Sequence, residues 1–137
     1  MMEYKKPLPQ PSRWTIKYWE GTKDHKLLIQ KCRSCGKYMF YPRLYCIHCF
    51  SEDIGWVEAS GKGKIYSYSV TLSNPVSQFV DDLPFTIAII ELDEGVRMLS
   101  HMVNCDHDKL KCDMRVEVVF EDITEKFSLP KFQPSTV

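Results

Sequence analysis

Cys32-Arg33-Ser34-Cys35 and Cys46-Ile47-His48-Cys49 place four thiols in two Cys-x-x-Cys pairs, with ten residues between them. No other feature constrains the fold as strongly. Each pair supplies two sulfurs from one tight turn, and the ten intervening residues are enough for a short hairpin that brings the pairs together. Four thiolates so arranged close a tetrahedral cage around one zinc ion per chain. Gly36 directly follows the first pair, where the turn backbone calls for a residue tolerant of positive φ. His48 sits inside the second pair, but four sulfurs already complete the tetrahedron. A filled cage leaves no position for water or substrate, so the expected role is structural. Iron in the same cage, serving electron transfer, is the alternative, and colour with reversible bleaching would reveal it.

A chain of 137 residues can bury one core, or one small domain with a metal-stapled appendage. No apolar run approaches the ~20 residues needed to span a bilayer. Residues 1–7 lack the apolar stretch of a secretory signal, and the expected location is the cytoplasm. In that reducing compartment six cysteines read as metal ligands and free thiols rather than a disulfide scaffold. The formal net charge is 0, and a zinc tetrathiolate would take it to about −2. Lys31, Arg33, Lys37 and Arg43 lie close to the cage in sequence and serve as its counter-charges. Cys105 and Cys112 are expected to be free thiols. A disulfide between them is the alternative, and a Cys105 nucleophile paired with His107 or His101 lacks any orienting third group nameable from sequence.

The remaining pattern is mainly β. Residues 3–11 carry Pro7, Pro9 and Pro11 and read as an extended lead-in. Ser12 is placed to cap a short helix that ends at or just after Gly21, with Trp14, Ile16, Tyr18 and Trp19 at helical spacings. So aromatic a helix must lie against a core, a ligand or another subunit. A strand over 26–32 enters the first cysteine pair, and 37–41 returns from it. Further strands are expected over 65–70, 85–92, 96–103 and 116–120, separated by Gly61/Gly63, Asn74-Pro75, Asp93-Glu94-Gly95 and the polar stretch 106–111. About five short strands without long helices point to a small closed barrel of the OB type. The expected architecture is a short N-terminal helix with its lead-in (1–25), a zinc ribbon (26–55), and an OB-fold barrel with a C-terminal tail (56–137).

In that order, several segments resemble a known family. Trp19-Glu20-Gly21, the four-cysteine ribbon, Pro42-Arg43, the stretch Trp56–Tyr68, and Pro84-Phe85 followed by Ile89–Arg97 are similar to the acyl-CoA-associated OB-fold proteins with a rubredoxin-like zinc ribbon, domain-of-unknown-function family thirty-five. The resemblance runs from about residue 7 to residue 121. Phe85 departs from a common tyrosine, and Asp113 stands near a position usually held by glycine. The resemblance implies a non-catalytic scaffold that binds acyl-CoA and docks on a thiolase-type enzyme, with hydroxymethylglutaryl-CoA synthase as a second partner in the archaeal type. It also implies a cleft between helix, ribbon and barrel for CoA.

CoA needs cations for its phosphates and an apolar channel for its arm. The candidate cations are Arg43, Lys62, Lys64 and Arg97, and the candidate channel residues are Trp14, Tyr18, Trp19, Phe79 and Phe85. The loop 73–83 could act as a lid. The rival reading is single-stranded RNA binding by the barrel and ribbon, with Tyr66, Tyr68 and Phe79 stacking on bases beside Lys62 and Lys64. An isoelectric point near 6.9 and the acids Asp81, Asp82, Glu91, Asp93 and Glu94 argue against it, since there is no excess positive field to meet phosphates. A membrane partner is not expected.

Overall fold

A computed structural model describes residues 4–135, so the outermost residues of the lead-in and of the tail, 1–3 and 136–137, lie outside it. Helix α1 (Ile16–Lys23) opens the fold, one turn later than Ser12 implied. Ser12 begins a preceding turn instead. Its carbonyl accepts the N–H groups of Thr15 and Ile16, and its Oγ lies 3.1 Å from Thr15 Oγ1. Trp14 therefore sits ahead of the helix rather than on it. The helix ends at Lys23, just after Gly21 as expected, and Gly21 itself is a contact residue. A Cβ there would lie 2.7 Å from Leu28 Cδ1, so only glycine lets α1 lie this close to the strand below it.

That strand, β1 (Leu28–Cys32), is the centre of a three-stranded antiparallel sheet between β2 (Tyr38–Met39) and β3 (Ile54–Glu58). The position of β3 differs from the sequence expectation, which read the chain near Trp56 as the entry to the barrel. Gln30 pairs with Trp56 and Cys32 with Ile54, so Trp56 is still part of the ribbon's sheet. Strands β4 (Lys62–Thr71), β5 (Phe85–Leu92), β6 (Arg97–Met102), β7 (Arg115–Asp122) and β8 (Ser128–Pro134) close a barrel in the order β4-β5-β6-β8-β7. The final strand, β8, was not read from sequence. It starts directly after the Thr124–Phe127 turn and carries two prolines, which masks its alternation. Its Phe132 is fully buried in the barrel, and β8 joins β7 to β6.

Alternation explains the core. On β5 the side chains of Thr86, Ala88, Ile90 and Leu92 are buried, whereas Phe85, Ile87, Ile89 and Glu91 face outward. The inward set joins Ile65, Met98, Met102, Val116 and Phe132, and the same cluster continues through Leu27 and Ile29 to Tyr18. Helix, sheet and barrel thus share one core. The ribbon's far end does not belong to it. There the buried residues are Cys32, Met39 and Cys46, with Ile54 packed alongside, too few to hold a loop-rich segment without a staple. Asp113, at the glycine-like position, takes φ +68°, so the turn before β7 keeps the conformation a glycine would supply. Among the described residues no helix is long and apolar enough to cross a membrane.

Candidate metal centre and aromatic cleft

The two cysteine pairs fold into matching turns. Gly36 N–H donates to Cys32 O and Phe50 N–H to Cys46 O, both at 2.9 Å. Cys32 N–H donates to Lys37 O and Cys46 N–H to Ser51 O, again at 2.9 Å each. The residue after each pair holds positive φ, +77° at Gly36 and +63° at Phe50. The first is a glycine and easy. The second is a bulky aromatic, 80% exposed, in a region that L-residues avoid.

The four sulfurs lie within 4.8 Å of one another, with Cys32 Sγ 3.6 Å from Cys49 Sγ and Cys35 Sγ 3.6 Å from Cys46 Sγ. A zinc tetrathiolate with Zn–S near 2.3 Å has edges of roughly 3.8 Å, so the set fits such an ion. Backbone amides favour thiolates at the two buried cysteines, whereas at Cys49 the Ser51 N–H is outweighed by burial and the neighbouring cysteine sulfurs, which push that thiol up to about 12. The Cys35 N–H donates to Cys32 Sγ at 3.4 Å, and this contact first holds the Cys32 thiol down at about 6. Burial pushes Cys46 up, but the His48 and Cys49 N–H groups more than offset it, and its pKa falls too. Cys32 and Cys46 are buried and Cys35 and Cys49 exposed, so each turn contributes one inner and one outer sulfur. Arg33 pairs with Asp53 at 2.9 Å at the cage's edge.

Above the cage, the ribbon's return chain forms one wall of a cleft. The floor is the outer face of β6 and β8, with Leu99 and His101 from one strand and Leu129 and Lys131 from the other. Trp14, Tyr18 and Trp19 from the helix region form one side, and Phe40, Tyr41 and Pro42 from the ribbon form the other. The enclosed volume is about 520 Å³, within the usual range for small-molecule sites. The aromatic walls are interlocked. Tyr18 meets Trp19 edge-on at 5.0 Å and Phe40 at 5.6 Å, and Trp19 meets Phe127 at 5.9 Å. Leu99 N–H donates to Tyr41 Oη at 3.1 Å, which ties ribbon to barrel across the cleft. Gln30, almost fully buried on β1, braces the same wall. Its Nε2 donates to Arg43 O at 2.8 Å and its Oε1 accepts Arg43 N–H at 2.7 Å.

The candidate channel residues separate into two groups. Trp14, Tyr18 and Trp19 line this cleft. Phe85 lies in an adjoining polar recess, and Phe79 packs on Phe85 at 5.8 Å and on His101 at 6.4 Å. The four candidate cations do not line the cleft. Arg43 lines a shallower hollow with Trp14, Leu44, Tyr45, Ile47 and Phe50. Lys64 and Arg97 both approach Glu91 at 3.7 Å, and Arg97 lies over the Tyr66 ring at 3.7 Å. Lys62 is exposed at the start of β4. On the face proposed for stacking bases, Lys64 is thus already paired with carboxylates, and Tyr68 Oη is engaged by Leu110 O. Sequence reasoning missed Tyr41, Leu99, Leu129 and Lys131 as lining residues, and Gln30 as their brace. No motif marks them, because each reaches the cleft only by outward placement on a strand or by the course of the ribbon. Residues of the 73–83 loop are largely exposed, with Phe79 the anchor that pins it to β5 and β6.

Residues 56–121 match the ChsH2 C-terminal OB-fold domain, and residues 19–55 match the ChsH2 rubredoxin-like zinc ribbon domain. A DUF35 domain-containing scaffold protein of Methanothermobacter thermautotrophicus is 36% identical over 82% of this chain and 85% of its own length. A probable enoyl-CoA hydratase alpha subunit of Thermomonospora curvata is 33% identical over 95% of this chain, which spans only 40% of that relative's length. A benzoylsuccinyl-CoA thiolase subunit, BbsA, of Geobacter metallireducens is 29% identical over 68% of this chain and 60% of its own length. Among solved structures, a chain of an Ltp2-ChsH2(DUF35) aldolase superposes with a TM-score of 0.84 at 33% identity, covering 93% of this chain and 98% of that one.

Proposed function

The chain belongs to the ChsH2-type DUF35 family, which joins a rubredoxin-like zinc ribbon to an OB-fold domain, and from that premise we propose that it is a non-catalytic accessory subunit. In this reading it carries one structural zinc, docks on a thiolase-type enzyme and holds the acyl part of a CoA thioester in the aromatic cleft. The observation that carries the reading is the cleft itself, an apolar slot of about 520 Å³ whose walls come from three separate elements. A slot built that way is a place to bind, and a cage filled by four sulfurs offers no open coordination position for chemistry. The relatives named scaffold protein and thiolase subunit support an accessory role. The relative named hydratase alpha subunit supports a hydrating enzyme as another class of partner, and hydroxymethylglutaryl-CoA synthase is a third candidate.

The exposed apolar side chains beside the second cysteine turn, Leu44, Tyr45, Ile47 and Phe50, support docking through the ribbon. Tagged protein recovered from native cells should bring down a thiolase-type or related CoA enzyme, and the purified chain should hold close to one zinc and quench its tryptophans on binding an acyl-CoA. Recovery of ribosomal RNA, or acyl-CoA binding in neither the free chain nor the complex, would sink the proposal.

A further inference from the structure

The cleft floor ends at two polar side chains. The strands β6 and β8 run parallel with Met102 opposite Phe132, so the preceding residues, His101 and Lys131, stand side by side on the outer face. Both line the aromatic cleft, and both line a polar recess of about 340 Å³ that continues from it, walled by Lys6, Asp82, Asn104, His107 and Glu121. The ring nitrogens of His101 have no hydrogen-bond partner among the described residues, and the ring is held only by stacking on Phe85 at 5.4 Å and by the edge of Phe79. Burial first, then the neighbouring Lys131, lower its pKa, so the imidazole is neutral at pH 7 with one donor and one acceptor to offer. The Lys131 ammonium rests on the Glu121 carboxylate. The lysine side chain is 20% exposed and the glutamate 50%, so the partner that can swing into water is the acid. Lys6, by contrast, is clamped, 2.6 Å from Asp82 and over the Phe79 ring at 5.6 Å.

We propose that Lys131 and His101 form the anion-accepting end of the cleft, so that the ligand is amphipathic, with an apolar body along the aromatic walls and a carboxylate or phosphate oxygen held by Lys131 Nζ and the His101 N–H. This deepens the acyl-thioester reading above and rests on it. On binding, Glu121 is exchanged for the ligand's anion, which leaves the local charge unchanged and costs only a half-exposed ion pair. The anion comes either from an acyl group bearing a terminal carboxylate or from a phosphate of CoA.

Quenching of Trp14 and Trp19, which line the cleft, reads the test in the zinc-loaded full chain. Octanoate should bind about tenfold more tightly than 1-octanol. Lys131→Met should abolish that preference without weakening octanol. Glu121→Gln, which frees the ammonium, should tighten octanoate and leave octanol alone, and it serves if the lysine variant folds poorly. The source of the anion follows from thioesters. If suberoyl-CoA outbinds octanoyl-CoA only when Lys131 is present, the acyl carboxylate is the anion. If octanoyl-CoA loses affinity in Lys131→Met while octanoyl-pantetheine does not, the phosphate is. Equal affinity for octanoate and octanol in the wild type, no quenching by either, or an octanoate preference that survives Lys131→Met, would overturn the assignment. Octanoate selectivity without any octanoyl-CoA binding would instead overturn the thioester reading and leave the anion site standing.

Discussion

Phe50→Gly separates the cost of the second cysteine turn from its use. The residue holds φ +63°, as Gly36 holds +77° in the matching turn. A non-glycine residue in that region costs about 1–2 kcal/mol. The ring is 80% exposed, so removing it forfeits little packing. Glycine in exchange makes the unfolded chain more flexible, at about 0.5–1 kcal/mol. The two effects partly cancel, with a net gain of roughly 0–1.5 kcal/mol, or about 0–6 °C in Tm for a chain of this size. Gly36→Ala is the mirror experiment. A Cβ there would meet nothing within 4 Å, so the same strain and unfolded-chain effects act in reverse and stability should fall by roughly 0–1.5 kcal/mol. A docking surface that buries the Phe50 ring would lose up to about 2 kcal/mol in the glycine variant, about thirtyfold in partner affinity. Thermal melts of the zinc-loaded protein and partner binding by calorimetry check both halves. Should Phe50→Gly melt several degrees below wild type, the strain argument is wrong. Unchanged partner affinity would remove Phe50 from the interface.

Zinc withdrawal by a strong chelator, or Cys46→Ser, should unfold the ribbon and remove Phe40, Tyr41 and Pro42 from the cleft, because this end has almost no core of its own; circular dichroism should keep the barrel signal while acyl-ligand quenching disappears. Gln30→Leu leaves the Arg43 N–H and C=O without their buried partner and should cost about 1–3 kcal/mol, read by denaturant unfolding, with weaker ligand binding through the loosened wall. His101 has a folded pKa below the ordinary 6.5, chiefly through burial, so folding favours its neutral form. It makes no pH-dependent contribution above the unfolded value, and stability falls as pH drops from about 6.5 toward the lower folded value. His101→Gln should flatten that part of the stability curve, and an unchanged slope between pH 6.5 and 5 would contradict the assignment.

The metal cage was legible because metal ligation is local. Two sulfurs per turn are a property of four consecutive residues, and Gly36, the fifth in the first turn, announced its positive φ in its identity. The second turn did the same job with Phe50, which no propensity would have marked. Strand β5 was legible as a nearly continuous apolar run, and β6 as a further apolar-rich segment set off by the Asp93-Glu94-Gly95 turn. The helix was legible as an aromatic stretch ending just after its glycine, but the contact of that glycine with Leu28 was not.

The cleft was decided by tertiary structure. The chain's own pattern established four ligands, a helix needing a partner surface, and strands enough to close a barrel. Which sheet Trp56 would join, and that residues 128–134 would close the barrel, depended on pairing between segments remote in sequence. Placement of the cations depended on the same register. Lys64 and Arg97 flank Glu91 on neighbouring strands and meet it, whereas Lys131, one residue from the β6–β8 pairing, reaches the cleft. Local chemistry sets what a residue can bind, but only the packing of distant strands sets what it faces.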